Sequence, residues 1–377
     1  MRIALDARYL SKEFSGIGNY CEYLVRNLVP ADPENHYSIF VHQSFDRDLD
    51  LPQNAEVIPA PARPVSFYTL LRMGRAVRET KAGIFHSLFP ITPLFLNIPM
   101  AVTVHDLQAL TVPEFTGQRA SLIRRAYDVF YRWTYPRSIR SARFLITDSH
   151  ATRREMAAAI PESRANTIVI YPGLDQTFGE PVDEIAVRQV AEKYQLPASY
   201  VLYLGSTRPN KNLPNMIRAF HSMRESRGDL HDLHFVLVVS ADRFFEESRR
   251  VIKELRLQKR MRVYGQISEL EKRCFYDRSS GLFLATKYEG FGIPLLEAQA
   301  CGVPVLAANH ASLPEIANGS ALLADPDDVE DIAEKLYRLL TDADLRATLI
   351  SAGKENAKRF DWARTAQAIR DMYHHLF

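Results

Sequence analysis

The stretch Lys287-Tyr288-Glu289-Gly290-Phe291-Gly292-Ile293-Pro294-Leu295-Leu296-Glu297 decides the fold. Before it lies Gly281-Leu282-Phe283-Leu284-Ala285, an apolar run short enough for a buried parallel strand. Pro294 opens a helix, where its missing N–H costs nothing, and Gly302 closes it ahead of a second strand, Val303 to Ala307. The segment therefore reads strand, Gly-rich turn, helix, strand, the unit from which parallel α/β sheets are built. Glu289 falls on the turn and Glu297 about one turn inside the helix. Both lie near the carboxyl end of the strand, the edge at which open α/β sheets bind ligands.

The chemistry of that edge follows from the residue types. Gly290 and Gly292 keep the turn clear of side chains, so the backbone from Gly290 through Phe291 to Ile293 can approach a ligand closely. The helix behind offers free N–H groups and a partial positive charge. Donors for phosphate and carboxylates that accept from hydroxyls suit a ligand that is part anion, part sugar. The plainer alternative is a pair of solvated acids flanking a tight turn, and the intervening Gly-Phe-Gly-Ile-Pro-Leu-Leu argues against it.

The same alternation runs outward from there. In the second half, strand Tyr200–Leu204 leads into Gly205-Ser206-Thr207-Arg208-Pro209-Asn210-Lys211 and a helix from Leu213. Gly205 frees that turn, and Arg208 and Lys211 can offer a planar fork and a point charge to a diphosphate. In the first half, strand Arg2–Leu10 leads through Ser15-Gly16-Ile17-Gly18 into a helix apolar at Tyr23, Leu24 and Leu28. Strand, Gly-x-Gly, helix is a phosphate-cradling order, although Gly16 and Gly18 alone also suit a bare turn. Further strands are expected at Ser38–His42, Ala55–Ile58, Ile84–His86 and Ala101–His105, and one helix at Val65–Lys81. Strands alternating with helices imply parallel pairing with right-handed crossovers.

The motif Glu289-Gly-Phe-Gly-Ile-Pro-Leu-Leu-Glu297, with Cys301-Gly-Val-Pro304 after it, resembles the signature of the retaining glycosyltransferases of family 4. That resemblance implies the GT-B fold: two Rossmann-like domains facing across a cleft, with a C-terminal helix crossing back to the first. It places an acceptor domain at 1–174 plus the helix 360–377, and a nucleotide-sugar donor domain at 175–359. The segment Val104-His105-Asp106 matches one of the family, so His105 is expected to bond the transferred sugar, and Asp106 to orient it or approach the acceptor. Lys211 matches the leaving-group lysine. Arg208 stands in for an arginine that the family often carries where this chain has Ser206. Glu289 would hold the sugar hydroxyls and Glu297 the ribose, while Gly16 and Gly18 match the loop beside the donor diphosphate. No nucleophile is assigned, because the family offers no agreed one. The start Asp6-Ala-Arg8 with Ser15-Gly-Ile-Gly-Asn-Tyr20 is similar to bacterial O-antigen mannosyl- and rhamnosyltransferases, which favours a GDP-sugar donor. Transfer to a soluble acceptor, as in sucrose or trehalose synthesis, is the second reading, and a nucleotide-sugar-binding protein of this fold that transfers nothing is the third.

Composition sets outer limits. At 377 residues, 46% hydrophobic and 24% charged, the chain is long enough for two domains of ordinary size. A net charge of +2 gives no global argument for nucleic acid. The three cysteines are scattered, which suggests neither a zinc site nor a disulfide framework, and with Lys211 and Arg208 placed for the diphosphate no metal or further cofactor is expected. No secretory signal or span of about 20 apolar residues is visible, so the cytoplasm is expected, at most against the inner face of its membrane. One stretch departs from the even charge. From Gly117 to Arg143 seven arginines face a single acid, Asp128, with Phe130, Tyr131, Trp133 and Tyr135 interleaved. Either this is a solvated face with its aromatics packed inward, or it sits on anionic lipid or grips a polyprenyl-diphosphate-linked glycan acceptor.

Overall fold

The computed structural model describes residues 1–13, 15–111, 122–227, 230–240 and 242–375. They form two compact units, Met1–Gly173 with Asp361–Phe377, and Leu174–Phe360.

The first unit holds β1 (Arg2–Asp6), β2 (His36–His42), β3 (Ala55–Ala60), β4 (Ile84–Ser87), β5 (Met100–Val104), β6 (Phe144–Thr147) and β7 (Thr167–Val169). They form a seven-stranded sheet in the order β3-β2-β1-β4-β5-β6-β7. β4 and β5 are buried along their whole length, as strands covered on both faces must be. The chain leaves β1 toward one edge and returns to pair β4 on its other side, so the turns after β1 and β4 diverge and leave a crevice. The last helix, Trp362–His375, buries Trp362, Ile369 and Tyr373 in the core that also holds Leu5, Leu24 and Ile39. Gly173 lies so close to the start of that helix that a Cβ there would meet the Trp362 nitrogen at 2.2 Å.

The second unit repeats the scheme with β8 (Tyr200–Gly205), β9 (His234–Val239), β10 (Met261–Tyr264), β11 (Gly281–Leu284), β12 (Val305–Ala308) and β13 (Leu322–Ala324). Their order is β10-β9-β8-β11-β12-β13, and the reversal falls between β8 and β11. The motif that opened the sequence reading therefore stands at this sheet's switch point.

Two expectations need correction. The helix expected over Val65–Lys81 is two, Phe67–Leu71 and Met73–Glu79. Arg72, at φ −114° and ψ −29°, separates the two, and Gly74 is wedged so near the Phe95 carbonyl that a Cβ would meet it at 2.9 Å. The basic segment is helical over Leu122–Ser141. Its beginning at Gly117 and its Arg119 lie outside the described residues.

Candidate active site

The turn after β8 and the turn after β11 are laced together by two asparagines. The Asn210 carbonyl accepts from Lys287 N at 2.9 Å and Tyr288 N at 3.2 Å, and its side-chain amide donates to the Tyr288 carbonyl. Asn212, buried in a left-handed conformation at φ 59°, donates to the carbonyls of Ala285 (2.9 Å) and Pro326 (2.7 Å). The lacing brings Lys211 Nζ to 2.7 Å from Glu289 Oε2, with side chains 19% and 11% exposed. Across the crevice one cation and one carboxylate thus stand together, 78 residues apart in the chain. Arg208 is exposed on the same turn.

The glycines have definite tasks. A Cβ on Gly205 would come within 2.8 Å of the Tyr203 hydroxyl, which donates to the Ser206 carbonyl and pins the turn. Gly292 caps the helix Ile293–Ala300 at φ 106°, a conformation open to glycine, and a Cβ there would collide with Leu313 at 2.6 Å. The Ser312 hydroxyl lies 2.9 Å from the carbonyls of both Glu289 and Phe291, so it holds the Glu289–Gly292 turn from behind. Phe291 is buried with its ring edge-on to Phe360.

Glu297 is 6% exposed, one turn into that helix, and both its oxygens are engaged. Lys272 Nζ donates to Oε1 at 2.8 Å and the Tyr276 hydroxyl to Oε2 at 2.9 Å. Burial alone would lower the Lys272 ammonium; Glu297 and Glu269 outweigh it and leave Lys272 above its ordinary range. Burial and then Glu297 push the Tyr276 phenol well up, so it stays a donor. A carboxylate held by a cation and a phenol keeps its direction.

In the first unit His105 follows β5. Its Nδ1 is 2.6 Å from Asp148 Oδ2 and its Nε2 3.1 Å from the Leu88 carbonyl. Both partners are acceptors, an arrangement that a ring protonated on both nitrogens satisfies. Burial pulls this histidine down, but Asp148, then Asp106 and the Leu88 carbonyl, raise it above the ordinary value. The ring is thus oriented by Asp148, whereas Asp106 Oδ1 accepts from the Gln108 backbone and starts the next turn. Tyr20 packs edge-on against the His105 ring, 4.6 Å between centroids.

Gly16 and Gly18 separate in role. Ser15 caps the helix Gly16–Ala31 by accepting from Gly18 N at 3.0 Å, and a Cβ on Gly18 would meet the Tyr9 carbonyl at 2.9 Å. Gly18 is therefore a packing glycine whose N–H is already bonded. At Gly16 nothing lies within 4 Å of a Cβ. Sequence reasoning missed Lys272, Tyr276, Asn212, Ser312 and the pairing of Asp148 with His105. Of these only Asp148 carried a signal, an acid at a strand end.

Residues 189–356 match the family described as glycosyl transferases group 1, and residues 14–178 match glycosyltransferase family 4. The chain belongs to these GT-B glycosyltransferases. The O-antigen chain mannosyltransferase B of Escherichia coli is 28% identical over 393 aligned residues, 98% of each chain. Among solved structures, the sucrose-phosphate synthase of Thermosynechococcus elongatus superposes with a TM-score of 0.77 at 21% identity, covering 100% of this chain and 99% of that one. Anabaena HepE, solved with UDP and glucose, gives 0.74 at 16% identity over 100% of both. At such identities these two likenesses speak for the fold.

Proposed function

We propose that the protein transfers a hexose, mannose or rhamnose, from a GDP-sugar to a hydroxyl of a lipid-linked glycan acceptor, with retention and without a metal. The reading makes it an enzyme of O-antigen or related surface-polysaccharide synthesis, working in the cytoplasm at the inner face of the membrane. The observation that carries it is the Lys211–Glu289 pair at the second switch point, on the turn that leads through Gly292 into the helix holding the buried Glu297. The full-length likeness to an O-antigen mannosyltransferase supports the sugar and the pathway.

In this reading the donor diphosphate lies against Lys211, Arg208, Gly205 and the backbone N–H groups of Gly290–Ile293. Charge that builds on the leaving phosphate meets groups already fixed by Asn210, Asn212 and Ser312, so little reorganisation is needed as the bond breaks. Glu289 accepts from the sugar hydroxyls and Glu297 from the ribose. His105, positioned by Asp148, bonds the transferred sugar; for Nε2 to do so it exchanges the Leu88 carbonyl for a sugar oxygen. Gly16 lies beside the diphosphate, and Asp106 is assigned to the acceptor.

The test is turnover of GDP-mannose, GDP-rhamnose, UDP-glucose and TDP-rhamnose with a chelator present, using a lipid-linked and a lipid-free glycan, with the product anomer read by NMR. Retained configuration from a GDP-sugar upholds the reading. An inverted product, or turnover that needs added metal, refutes it.

A further inference from the structure

Ser312 stands where the sequence calls for a helix cap and does something else. Ser312-Leu313-Pro314-Glu315 has the Ser-x-x-Glu spacing of a capping box, in which the serine hydroxyl accepts from the N–H three residues on. The helix Leu313–Ala317 does begin after Ser312, with Pro314 in its first turn, but Ser312 makes no side-chain cap bond. Its hydroxyl turns instead to the carbonyls of Glu289 and Phe291, each at 2.9 Å. A serine hydroxyl has one proton, and here two carbonyls share it. The residue before it, Ala311, is held at φ 54°, a left-handed conformation that costs an alanine energy. A forgone cap beside a strained backbone marks a segment whose local preferences are overruled by a neighbouring element.

That element is the turn Glu289–Gly292. In a trans peptide the carbonyl of one residue and the N–H of the next point in opposite directions, and none of the peptide bonds here is cis. With the Glu289 and Phe291 carbonyls drawn to Ser312, the N–H groups of Gly290 and Gly292 face away from it. Ser312 is 1% exposed and so lies on the buried side of the turn; the two N–H groups are aimed at the opposite side, where a ligand over the crevice meets them. Leu313 completes the template, its side chain 2.6 Å from where a Cβ on Gly292 would stand. The other flank is fixed separately, by the bonds from Lys287 N and Tyr288 N to the Asn210 carbonyl. Glu289 thus sits between two clamps, and its carboxylate reaches Lys211 at 2.7 Å from a backbone held on both sides.

We propose that Ser312 is a positioning residue for sugar transfer. It touches no substrate; through the two carbonyls it aims the Gly290 and Gly292 N–H groups and the Glu289 carboxylate at the donor's sugar. The proposal rests on the reading of the preceding section that this turn holds the transferred sugar. Fixed donors stabilise developing charge because they already point at it, so a turn freed to rotate still binds the donor but transfers its sugar slowly. Glu297 is held by Lys272 and Tyr276, so the hold on the ribose does not depend on Ser312.

The experiment compares wild type, Ser312→Ala, Ser312→Cys and Ser320→Ala for turnover of GDP-mannose with a lipid-linked glycan, for GDP affinity and for melting temperature. Ser320 is the control: it is 2% exposed in the same unit, and its hydroxyl donates to the Ala317 carbonyl and accepts from Gln299, with no bond to the turn. Ser312→Ala is expected to lower kcat about 10- to 100-fold while GDP affinity stays within about threefold of wild type. Ser312→Cys keeps the volume but donates weakly, so it should fall with Ser312→Ala. Ser320→Ala should keep wild-type kcat even where it melts as low. Wild-type kcat in Ser312→Ala or Ser312→Cys overturns the proposal, as does an equal loss of kcat in Ser320→Ala. A fall in GDP affinity as large as the fall in kcat also overturns it, since Ser312 would then be a general support of the site. If wild type binds no GDP, the nucleotide-sugar reading fails and the proposal with it; if wild type binds GDP and the Ser312 variants turn over normally, only the role of Ser312 fails.

Discussion

The two sheets share a strand order, and each carries an acid and a base at its switch point, but the two pairs do different things. At the first, Arg8 grips Asp6 through both oxygens at 2.7 Å and also donates to Thr69 Oγ1 and the Ala62 carbonyl, with side chains 0% and 1% exposed. At the second, Lys211 reaches Glu289 with one bond, and both side chains keep a solvent-facing fraction. The first pair is saturated and sealed, so it has nothing to offer a ligand. The second is held in place by its neighbours' backbones and retains unused donors and acceptors. A switch point marks where a site can be; the remaining hydrogen-bonding capacity marks whether there is one.

The largest effects should come from breaking this contrast. Arg8→Met strands Asp6 in the core and is expected to destabilise the protein by about 3–5 kcal/mol in urea unfolding. Lys211→Met should change unfolding by no more than about 1 kcal/mol, yet lower kcat by about 10²–10³. A Lys211 variant as unstable as the Arg8 variant would erase the distinction.

The glycines sharpen it on a smaller scale. Gly18→Ala presses a methyl onto the Tyr9 carbonyl and should cost about 1–3 kcal/mol. Gly16→Ala meets open space and should leave stability within about 0.5 kcal/mol. Equal melting temperatures for the two would contradict the roles given to them.

Two histidines make the same comparison in pH. His86 is fully buried between Tyr373 and Thr103, and burial, helped by His105, lowers it to about 3. An unfolded histidine titrates near about 6.5, so the unfolded chain takes the proton first and stability falls as pH drops from there toward 3. His105 is raised, so its contribution is complete below about 6.5 and disappears as pH climbs through its folded value. Asp148→Asn should remove the alkaline loss and leave the acid one, as read from urea midpoints across pH.

How much the sequence disclosed depends on how local each cause was. Strand, turn and helix around Glu289 were legible because glycine, proline and apolar runs act within a few residues. Lys211 and Glu289 were each legible, but their pairing was not, since it depends on Asn210 and Asn212 bonding to a turn more than 70 residues away. Lys272 sits 25 residues before Glu297 on another helix, where a lysine reads as surface charge. The break at Arg72 was hidden because Gly74 packs against Phe95, a contact no periodicity reveals.

The most direct measurement is the thermal shift of wild type, Lys211→Met and Glu297→Ala with GDP, UDP, ADP and TDP, each with and without magnesium. At a hundredfold excess over its dissociation constant a ligand stabilises the fold by about 2.7 kcal/mol. The account predicts that GDP raises the melting temperature without magnesium, that Lys211→Met weakens the shift, and that Glu297→Ala abolishes it. No shift from any diphosphate on folded wild type, or a full shift in Glu297→Ala, would contradict a nucleotide-sugar site at the second switch point.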